Sequence, residues 1–302
     1  MRRLTTILVI AVGLSMCSGF MTLYSKGEAV EIPFVFEHNE ILVQVKIGGH
    51  GPFTMMLDTD TDPSSIDLSF AKSNDFKLHA IHGEVTGGGS EHPTVYLTKL
   101  ATVELGPLPA RDLQAVAIDL GKMQNRLGKE IQGVLGDNFL AGRVLQIDYP
   151  RSVLRFSRSS FASTITKNSQ TVFPFRYDDD GGIVMEGVVI NGKKTKATID
   201  TGSDGMFALT PAAVEYLGLT KAAINGNAET SIGYKGTVQN TQGRVDLIAI
   251  GPIEVTSPEV VFWGKGAGRD RRPWELDIGN AFLKDYIVTI DYLKKRIALE
   301  KP

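Results

Sequence analysis

Three aspartates, Asp58, Asp60 and Asp62, stand at alternate positions directly after an apolar run. Carboxylates with this spacing begin the calcium loop of an EF-hand, in which positions 1, 3 and 5 bind the ion. The rest of that loop is missing, because Pro63 replaces the glycine of position 6 and Ser69 replaces the bidentate glutamate of position 12. We therefore predict no metal site here and no cofactor, and we ask whether the first carboxylate alone does chemistry.

Only the first aspartate of the triplet recurs with its surroundings. The residues LDTDT, Leu57 to Thr61, are echoed by IDTGS, Ile199 to Ser203, and both follow an apolar strand. Asp58 thus corresponds to Asp200, 142 residues later. A residue that keeps its setting in two copies of a repeat is a better candidate for function than its neighbours.

The repeat extends over most of the chain. The residues GDNFLAGRVLQIDYPRSVLRF, from Gly136, align without a gap with GNAFLKDYIVTIDYLKKRIAL, from Gly279. Upstream, Ile47 pairs with Ile190, and downstream of each aspartate the segments LSFAKSNDFKL and LTPAAVEYLGL match. One architecture is therefore used twice.

These motifs resemble those of the aspartic peptidases, both pepsin-like and retropepsin-like. The family signature is two apolar residues, DTG and a Ser or Thr, which IDTGS carries and which LDTDT carries with Asp60 in place of glycine. The second signature, two apolar residues and a glycine, appears as VLG (Val134 to Gly136) and as DIG (Asp277 to Gly279), the latter with an unusual acid. The resemblance covers nearly everything after the N-terminal segment, and it is closest to the bacterial retropepsin-like group of single-chain bilobal proteases.

The resemblance implies a catalytic dyad of Asp58 and Asp200. Two adjacent carboxylates share one proton, so that one acts as general base on a water while the other donates to the scissile carbonyl of a peptide substrate. The residues implied to support the dyad are Thr59, Thr61, Thr201, Gly202 and Ser203. Because one chain supplies both halves, we expect a monomer to be sufficient.

Asp60 departs from the family pattern and leaves two alternatives. A third carboxylate beside the dyad raises the pKa of its neighbours, and its Cβ occupies space that glycine leaves open. The chain is then either an active endopeptidase with a shifted pH range, which we favour, or a catalytically silent protein that binds peptide on the same scaffold.

The family closes a glycine-rich hairpin, the flap, over its substrate. The segment Glu84 to Leu97 stands at the corresponding place and contains Gly87, Gly88 and Gly89. Its counterpart in the second copy is Thr230 to Gln239, where Tyr234 either shields the dyad or lies exposed in a turn; we favour the exposed turn.

Three further patterns have simpler explanations. A zinc site could be drawn from His79, His82, His92 and Glu84, but loop histidines on the surface are commoner and no HExxH helix is present. The residues GVVINGKK, from Gly187, lack the Ser or Thr of a phosphate loop and predict a hairpin turn. The segment Trp263 to Glu275 could border a substrate cleft, although a solvated loop is the default.

The secondary-structure elements that must position the two aspartates are predicted to be mostly strands. Alternating runs such as ILVQVKI and RVLQIDY are separated by Gly, Pro and Asn turns, and short helices are expected after each aspartate motif and at GDNFLAG and GNAFLKD. The fold predicted is mainly β, with two pseudo-symmetric lobes of six-stranded barrel type and few short helices. We place the lobes at residues 30–160 and 170–302, joined by the serine-rich linker Ser157 to Gln170.

The bulk composition excludes some partners. The chain has 302 residues, a formal net charge of −2 and a pI near 6.2, so no overall field draws it to nucleic acid. Residues 1–25 contain Arg2 and Arg3 followed by a long uncharged stretch, the pattern of an export signal or a membrane anchor. We expect an exported protein, periplasmic or extracellular; whether Cys17 carries a lipid is left open.

Overall fold

The computed structural model describes residues 29–81, 88–89, 91–157, 171–177, 182–264 and 275–302. The predicted signal or anchor, residues 1–25, lies outside these ranges, as does almost all of the predicted linker. In the part of the chain that the structure describes, no helix is long and apolar enough to cross a membrane.

The first half of the chain forms a closed β-barrel. Strands β3, β4, β9, β5, β8 and β7 are hydrogen-bonded in that order, and β7 pairs back onto β3 to close the ring. Its strands are β1 (Val30–Pro33), β2 (Val35–Glu37), β3 (Glu40–Ile47), β4 (His50–Leu57), β5 (Ser64–Asp67), β6 (His79–Ala80), β7 (Tyr96–Leu105), β8 (Leu108–Ile118), β9 (Gly133–Leu135), β10 (Val144–Asp148) and β11 (Val153–Ser157).

The second half repeats this ring, but two strands, β17 and β18, take the place that the single strand β7 has in the first. Strands β13, β14, β21, β15, β20 and β17 follow one another, and β18, which continues from β17, pairs with β13 as β7 pairs with β3. Its strands are β12 (Val172–Tyr177), β13 (Ile183–Ile190), β14 (Lys193–Ile199), β15 (Phe207–Leu209), β16 (Asn227–Gly233), β17 (Gly236–Arg244), β18 (Leu247–Ile250), β19 (Ile253–Thr256), β20 (Glu259–Phe262), β21 (Glu275–Ile278), β22 (Ile287–Asp291) and β23 (Arg296–Glu300). The predicted mainly β fold with few short helices is confirmed.

A six-stranded sheet joins the two halves, in the order β1-β11-β10-β22-β23-β12. At its centre β10 and β22 run antiparallel, and Gln146 lies directly opposite its repeat counterpart Thr289. The Gln146 side-chain amide donates to the Thr289 hydroxyl at 3.0 Å, and both residues are buried. The axis of the pseudo-twofold therefore passes through this pair.

Matched aromatic pairs fill the space on either side of the axis. The ring of Tyr149 meets Phe34 edge to face at 6.1 Å between centroids, and the ring of Tyr292 meets Phe175 at 6.2 Å. All four rings are almost fully buried. Edge-to-face contacts of this kind fix ring orientation as well as burying apolar area, so the two tyrosine hydroxyls have defined directions.

Six short helices occur among the described residues. They are α1 (Leu68–Ser73), α2 (Gly121–Leu127), α3 (Asp137–Leu140), α4 (Pro211–Leu217), α5 (Thr220–Ile224) and α6 (Asn280–Leu283). Asp67 caps α1 and Thr210 caps α4, each by accepting a backbone N–H three residues on. The four predicted helices are confirmed as α1, α3, α4 and α6, whereas α2 and α5 were not predicted because each offers too few apolar positions.

The phosphate-loop-like segment is a hairpin turn, as predicted. Strand β13 turns into β14 through Asn191 and Gly192, which have φ of 48° and 81°. Two successive residues of positive φ make the type of two-residue turn that matches strand twist.

Candidate active site

Two equivalent strand pairs present the two aspartate motifs. Strand β4 runs parallel to β9, and the Asp58 N–H at its end donates to the Leu135 carbonyl at 3.1 Å. Strand β14 runs parallel to β21 in the same way, and the Asp200 N–H donates to the Ile278 carbonyl at 3.0 Å. Each aspartate therefore follows the end of its strand with the same backbone hydrogen bond to the neighbouring parallel strand.

Two threonines hold the two motif loops together across the axis; the first motif loop is residues 58–63, between β4 and β5, and the second is residues 200–206, between β14 and β15. Thr59 Oγ1 donates to the Ile199 carbonyl at 2.7 Å and accepts the Thr201 N–H at 3.2 Å. In return, Thr201 Oγ1 donates to the Leu57 carbonyl at 2.9 Å and accepts the Thr59 N–H at 3.1 Å. Both side chains are fully buried. These four crossed hydrogen bonds hold the two motif loops together at residues 59 and 201, each adjacent to one aspartate.

The carboxyl groups are buried and held by matching backbone contacts. The Asp60 N–H donates to Asp58 Oδ1 and the Gly202 N–H donates to Asp200 Oδ1, each at 2.8 Å. Thr61 Oγ1 donates to Asp58 Oδ2. A Cβ on Gly202 would lie 2.4 Å from Asp58 Oδ2, so the carboxyl of Asp58 packs directly on the second motif loop.

The surroundings of Asp58 favour its protonated form. Burial, followed by the negative charge of Asp200, raises the pKa of Asp58 to about 8. The charge of Asp60 adds to this rise in pKa, while the hydrogen bond from Thr61 opposes it. Together these effects favour retention of a proton on Asp58 near neutral pH.

The two halves differ at the third position of the aspartate motif. Glycine is required at Gly202 because any Cβ would collide with Asp58, and not because of φ, which is not positive there. Asp60 occupies the corresponding position with ordinary φ; it is partly exposed, and Thr198 Oγ1 donates to its Oδ1 at 3.4 Å. The chain therefore accommodates a third carboxylate beside Asp58.

The glycine of the second family signature has a steric reason in both halves. A Cβ on Gly136 would lie 2.2 Å from the Thr61 carbonyl oxygen, and one on Gly279 would lie 2.7 Å from the Ser203 carbonyl oxygen. The next residue in each half donates its N–H to that same carbonyl, at 2.7 Å from Asp137 and 2.8 Å from Asn280. These glycines let the helices α3 and α6 support the motif loops from behind.

Tyr234 lies at the site, so the interpretation that it is an exposed turn residue is wrong. It follows β16, is partly buried, and its hydroxyl lies 3.1 Å from Ser65 Oγ. Burial raises its pKa, with further contributions from the charges of Asp58 and Asp200, so the phenol stays neutral. Sequence reasoning could have weighted it more, because it lies at the tip of the hairpin that corresponds to the flap.

The tips of the two hairpins meet. The Lys235 N–H donates to the Gly88 carbonyl at 2.8 Å, and the Glu91 N–H donates to the Lys235 carbonyl at 2.9 Å. A Cβ on Gly89 would lie 2.0 Å from the Lys235 carbonyl oxygen, so only glycine permits this approach. Gly87, the third glycine of the predicted flap, lies outside the described residues.

A buried acid anchors the second motif loop to the first half, and sequence reasoning missed it. The Arg126 guanidinium pairs with Glu40, whose side chain is fully buried, and with Asp204 of the second motif loop. Asn39 Nδ2 also donates to the Asp204 carbonyl, at 3.0 Å. Burial raises the pKa of Glu40, and the Arg126 charge opposes that rise. No local pattern links these residues, because they come from three separate segments.

Within the described ranges, no group of three or more His, Cys, Asp or Glu side chains is arranged to hold a metal. His82 and Glu84 of the considered zinc site lie outside those ranges. So does most of the segment from Trp263 to Glu275 that was considered as a cleft border.

The sequence is similar to a known protein family. A family model described as aspartyl protease matches residues 43–139 and 187–271. The two ranges together cover more than half of the chain, and each contains one of the two aspartates. No curated protein matches the sequence.

Proposed function

The chain belongs to the aspartyl protease family, and from this premise we propose that it is an endopeptidase whose catalytic pair is Asp58 and Asp200. The observation that carries the proposal is the set of crossed hydrogen bonds of Thr59 and Thr201, which brings the two motif loops together. The burial of both carboxyls and the raised pKa of Asp58 support it further.

In the proposed reaction the two carboxyls have different tasks. Asp200, ionised, takes a proton from a water held between them, and the water oxygen bonds to the carbonyl carbon of the substrate. Asp58, protonated, donates its proton to the carbonyl oxygen, which gives a tetrahedral diol. Breakdown of the diol breaks the C–N bond: the leaving nitrogen takes up the proton now on Asp200, and one diol hydroxyl returns a proton to Asp58, which gives a carboxylic acid and an amine and restores the dyad. The raised pKa of Asp58 supports its assignment as the donor.

The hairpin tips supply the cover that excludes bulk water. Tyr234 stands over Ser65 near the dyad, and the contact between Gly88 and Lys235 closes the tips above it. A peptide must displace these contacts to enter, and closure over it strengthens the electrostatic interactions of the site. We propose that both hairpins act as flaps.

The test is hydrolysis of a denatured protein by the purified full chain from pH 3 to pH 8, with and without a statine-based inhibitor. We expect inhibitable cleavage that falls by about 10²- to 10⁴-fold in Asp58→Asn and in Asp200→Asn. Asp75→Asn, which alters an exposed aspartate in a turn, is the matched control and should keep wild-type activity. Equal cleavage by all three variants would contradict the assignment.

The second candidate, a silent peptide-binding protein, is favoured by one observation, the presence of Asp60 in the motif. On that alternative, a denatured substrate protects the chain against heat, yet no cleavage occurs at any pH. The same set of samples separates the two functions, because inhibitor and substrate binding are measured by thermal shift while turnover is measured by product release.

We propose, from the pattern of residues 1–25 alone, that the protein is exported. The lobe boundaries at residues 30–160 and 170–302 are proposed in the same sense, from the repeat. Cell fractionation and N-terminal sequencing of the recovered protein would test the first, and limited proteolysis between the lobes the second.

A further inference from the structure

A buried asparagine supports the second motif loop from behind. Asn280 Nδ2 donates to the Thr201 carbonyl at 2.7 Å, and Asn280 Oδ1 accepts the Tyr149 hydroxyl at 2.6 Å. Tyr149 comes from the first half of the chain, so this contact also crosses the axis. Asn280 therefore holds the peptide group between Thr201 and Gly202, one residue beyond Asp200, through a hydrogen-bond donor.

The corresponding position in the first half is an acid, Asp137. The Asp137 N–H donates to the Thr61 carbonyl at 2.7 Å, and the Asn280 N–H donates to the Ser203 carbonyl at 2.8 Å. The backbones of Asp137 and Asn280 therefore occupy equivalent positions in the two halves. The residue that corresponds to Tyr149 is Tyr292, whose buried hydroxyl neighbours Asp137. The carbonyl that corresponds to that of Thr201 is the Thr59 carbonyl.

A carboxylate cannot replace the amide at this place. Asp137 is 8% exposed, and its Oδ1 is buried without a hydrogen-bond partner within the described residues. An ionised carboxylate only accepts hydrogen bonds, so it cannot pair with a carbonyl oxygen, whereas a protonated one has an O–H to donate. The titratable groups that the structure places around Asp137 are Asp60 and Asp62 on the motif loop, Tyr292 after β22 and Tyr177 on β12.

From this geometry we infer that Asp137 is a proton-dependent positioning residue, whose carboxyl, when protonated, donates to the Thr59 carbonyl and supports the first motif loop as Asn280 supports the second. Loss of the proton removes that hydrogen bond, because an ionised carboxylate has no donor to offer the Thr59 carbonyl. The second motif loop then keeps its hydrogen bond from Asn280, whereas the first motif loop lacks the corresponding one.

The charges around Asp137 place this change near neutral pH. Burial, then the negative charge of Asp62, raises the pKa of Asp137 from 3.8 to about 7; Asp60 adds to the rise, and the neighbouring Tyr292 hydroxyl opposes it. Because the folded chain holds this proton more tightly than the unfolded chain does, its contribution to stability is complete below about pH 4 and is lost as pH rises to about 7.

The first test is thermal unfolding of the full chain from pH 4 to pH 8, for wild type, Asp137→Asn and Asn280→Asp. The melting temperature of Asp137→Asn should equal that of wild type at pH 4 and exceed it by several degrees at pH 8. Asn280→Asp should show the opposite: its melting temperature should fall below that of wild type by an amount that grows as pH rises. A difference between Asp137→Asn and wild type that stays constant with pH would overturn the inference.

The second test measures kcat, so it rests on the proposed function. It distinguishes a hydrogen bond from residue 137 to the loop from the mere burial of a side chain at that position. Asp137→Asn should keep kcat within about threefold at pH 5 and lose less of it than wild type between pH 6 and pH 8. Asp137→Leu buries a similar volume without a donor, so its kcat should fall at least tenfold at every pH with little change in KM. Equal kcat in the Asn and Leu variants would overturn the inference. If no form of the protein cleaves peptide, the proposed function fails and the unfolding test still decides.

Discussion

The two aspartates of the candidate site have different neighbours, and the difference begins at the third residue of each motif. Gly202 lets the carboxyl of Asp58 pack against the second loop, while Asp60 brings a further negative charge to the first. A site with identical halves could not distinguish its two carboxyls in this way. The asymmetry favours the protonated form of Asp58.

Asp60→Asn and Asp60→Gly test the contribution of that charge. Because a negative neighbour raises the pKa of Asp58, either substitution should lower it and move the alkaline limb of the kcat/KM profile to lower pH, by less than about one unit. A shift in the Gly variant alone would mean that side-chain volume, and not charge, sets the limb. The pH profile on one peptide substrate is sufficient for the comparison.

Gly202→Ala tests the close packing of Asp58 on the second loop. Its Cβ would lie 2.4 Å from Asp58 Oδ2, so the carboxyl must move, and kcat/KM should fall about 10²-fold. Gly205→Ala is the matched control, because the nearest atom to its Cβ is Ser203 Oγ at 3.9 Å and its φ is not positive. Equal activity in the two variants would contradict the described packing.

At the scale of elements, the threonine cross joins loops from two barrels through buried hydrogen bonds. Thr59→Val leaves the Ile199 carbonyl and the Thr201 N–H without their partner, so the free energy of unfolding should fall by about 2–3 kcal/mol. Thr98→Val in β7 is the control, because Thr98 Oγ1 is buried and has no partner within the described residues; this substitution should be neutral or stabilising. Urea unfolding of both variants measures the difference.

The hairpin tips offer a second test at this scale. Gly89 has φ of 116° and its Cβ would meet the Lys235 carbonyl oxygen, so Gly89→Ala should separate the tips and lower kcat/KM about tenfold. Gly88→Ala places its Cβ 3.4 Å from Val238, an ordinary contact, and should behave as wild type. If both variants cleave like wild type, the tips do not close over the substrate during turnover.

The sequence was sufficient for the features that the repeat carries. The duplicated Asp-Thr motif, the strands before it and the four helices beside it follow from local patterns that occur twice. The contacts of Arg126 could not be predicted, because they join segments that are distant in the chain and unequal in the two copies. Asp137 was visible in the alignment with Asn280, yet its meaning required the burial of both side chains.

At the scale of the whole molecule, one chain contains both motif loops and the sheet between them. Activity per chain should therefore be constant on dilution from micromolar to nanomolar concentration, since no association step precedes catalysis. A progress-curve assay across that range, with the mass of the active species measured by light scattering at the upper end, is the check. Activity that vanishes on dilution would show that the working form is an oligomer.

The pairing of Gln146 with Thr289 at the centre of the molecule has a consequence for how the halves identify each other. In an assembly of identical subunits, a residue on the rotation axis meets its own copy, so it must be complementary to itself. Here an amide meets a hydroxyl, and neither would find the same contact opposite a duplicate of itself. A single chain is free of that requirement, so the two sides of the axis can carry different residues here.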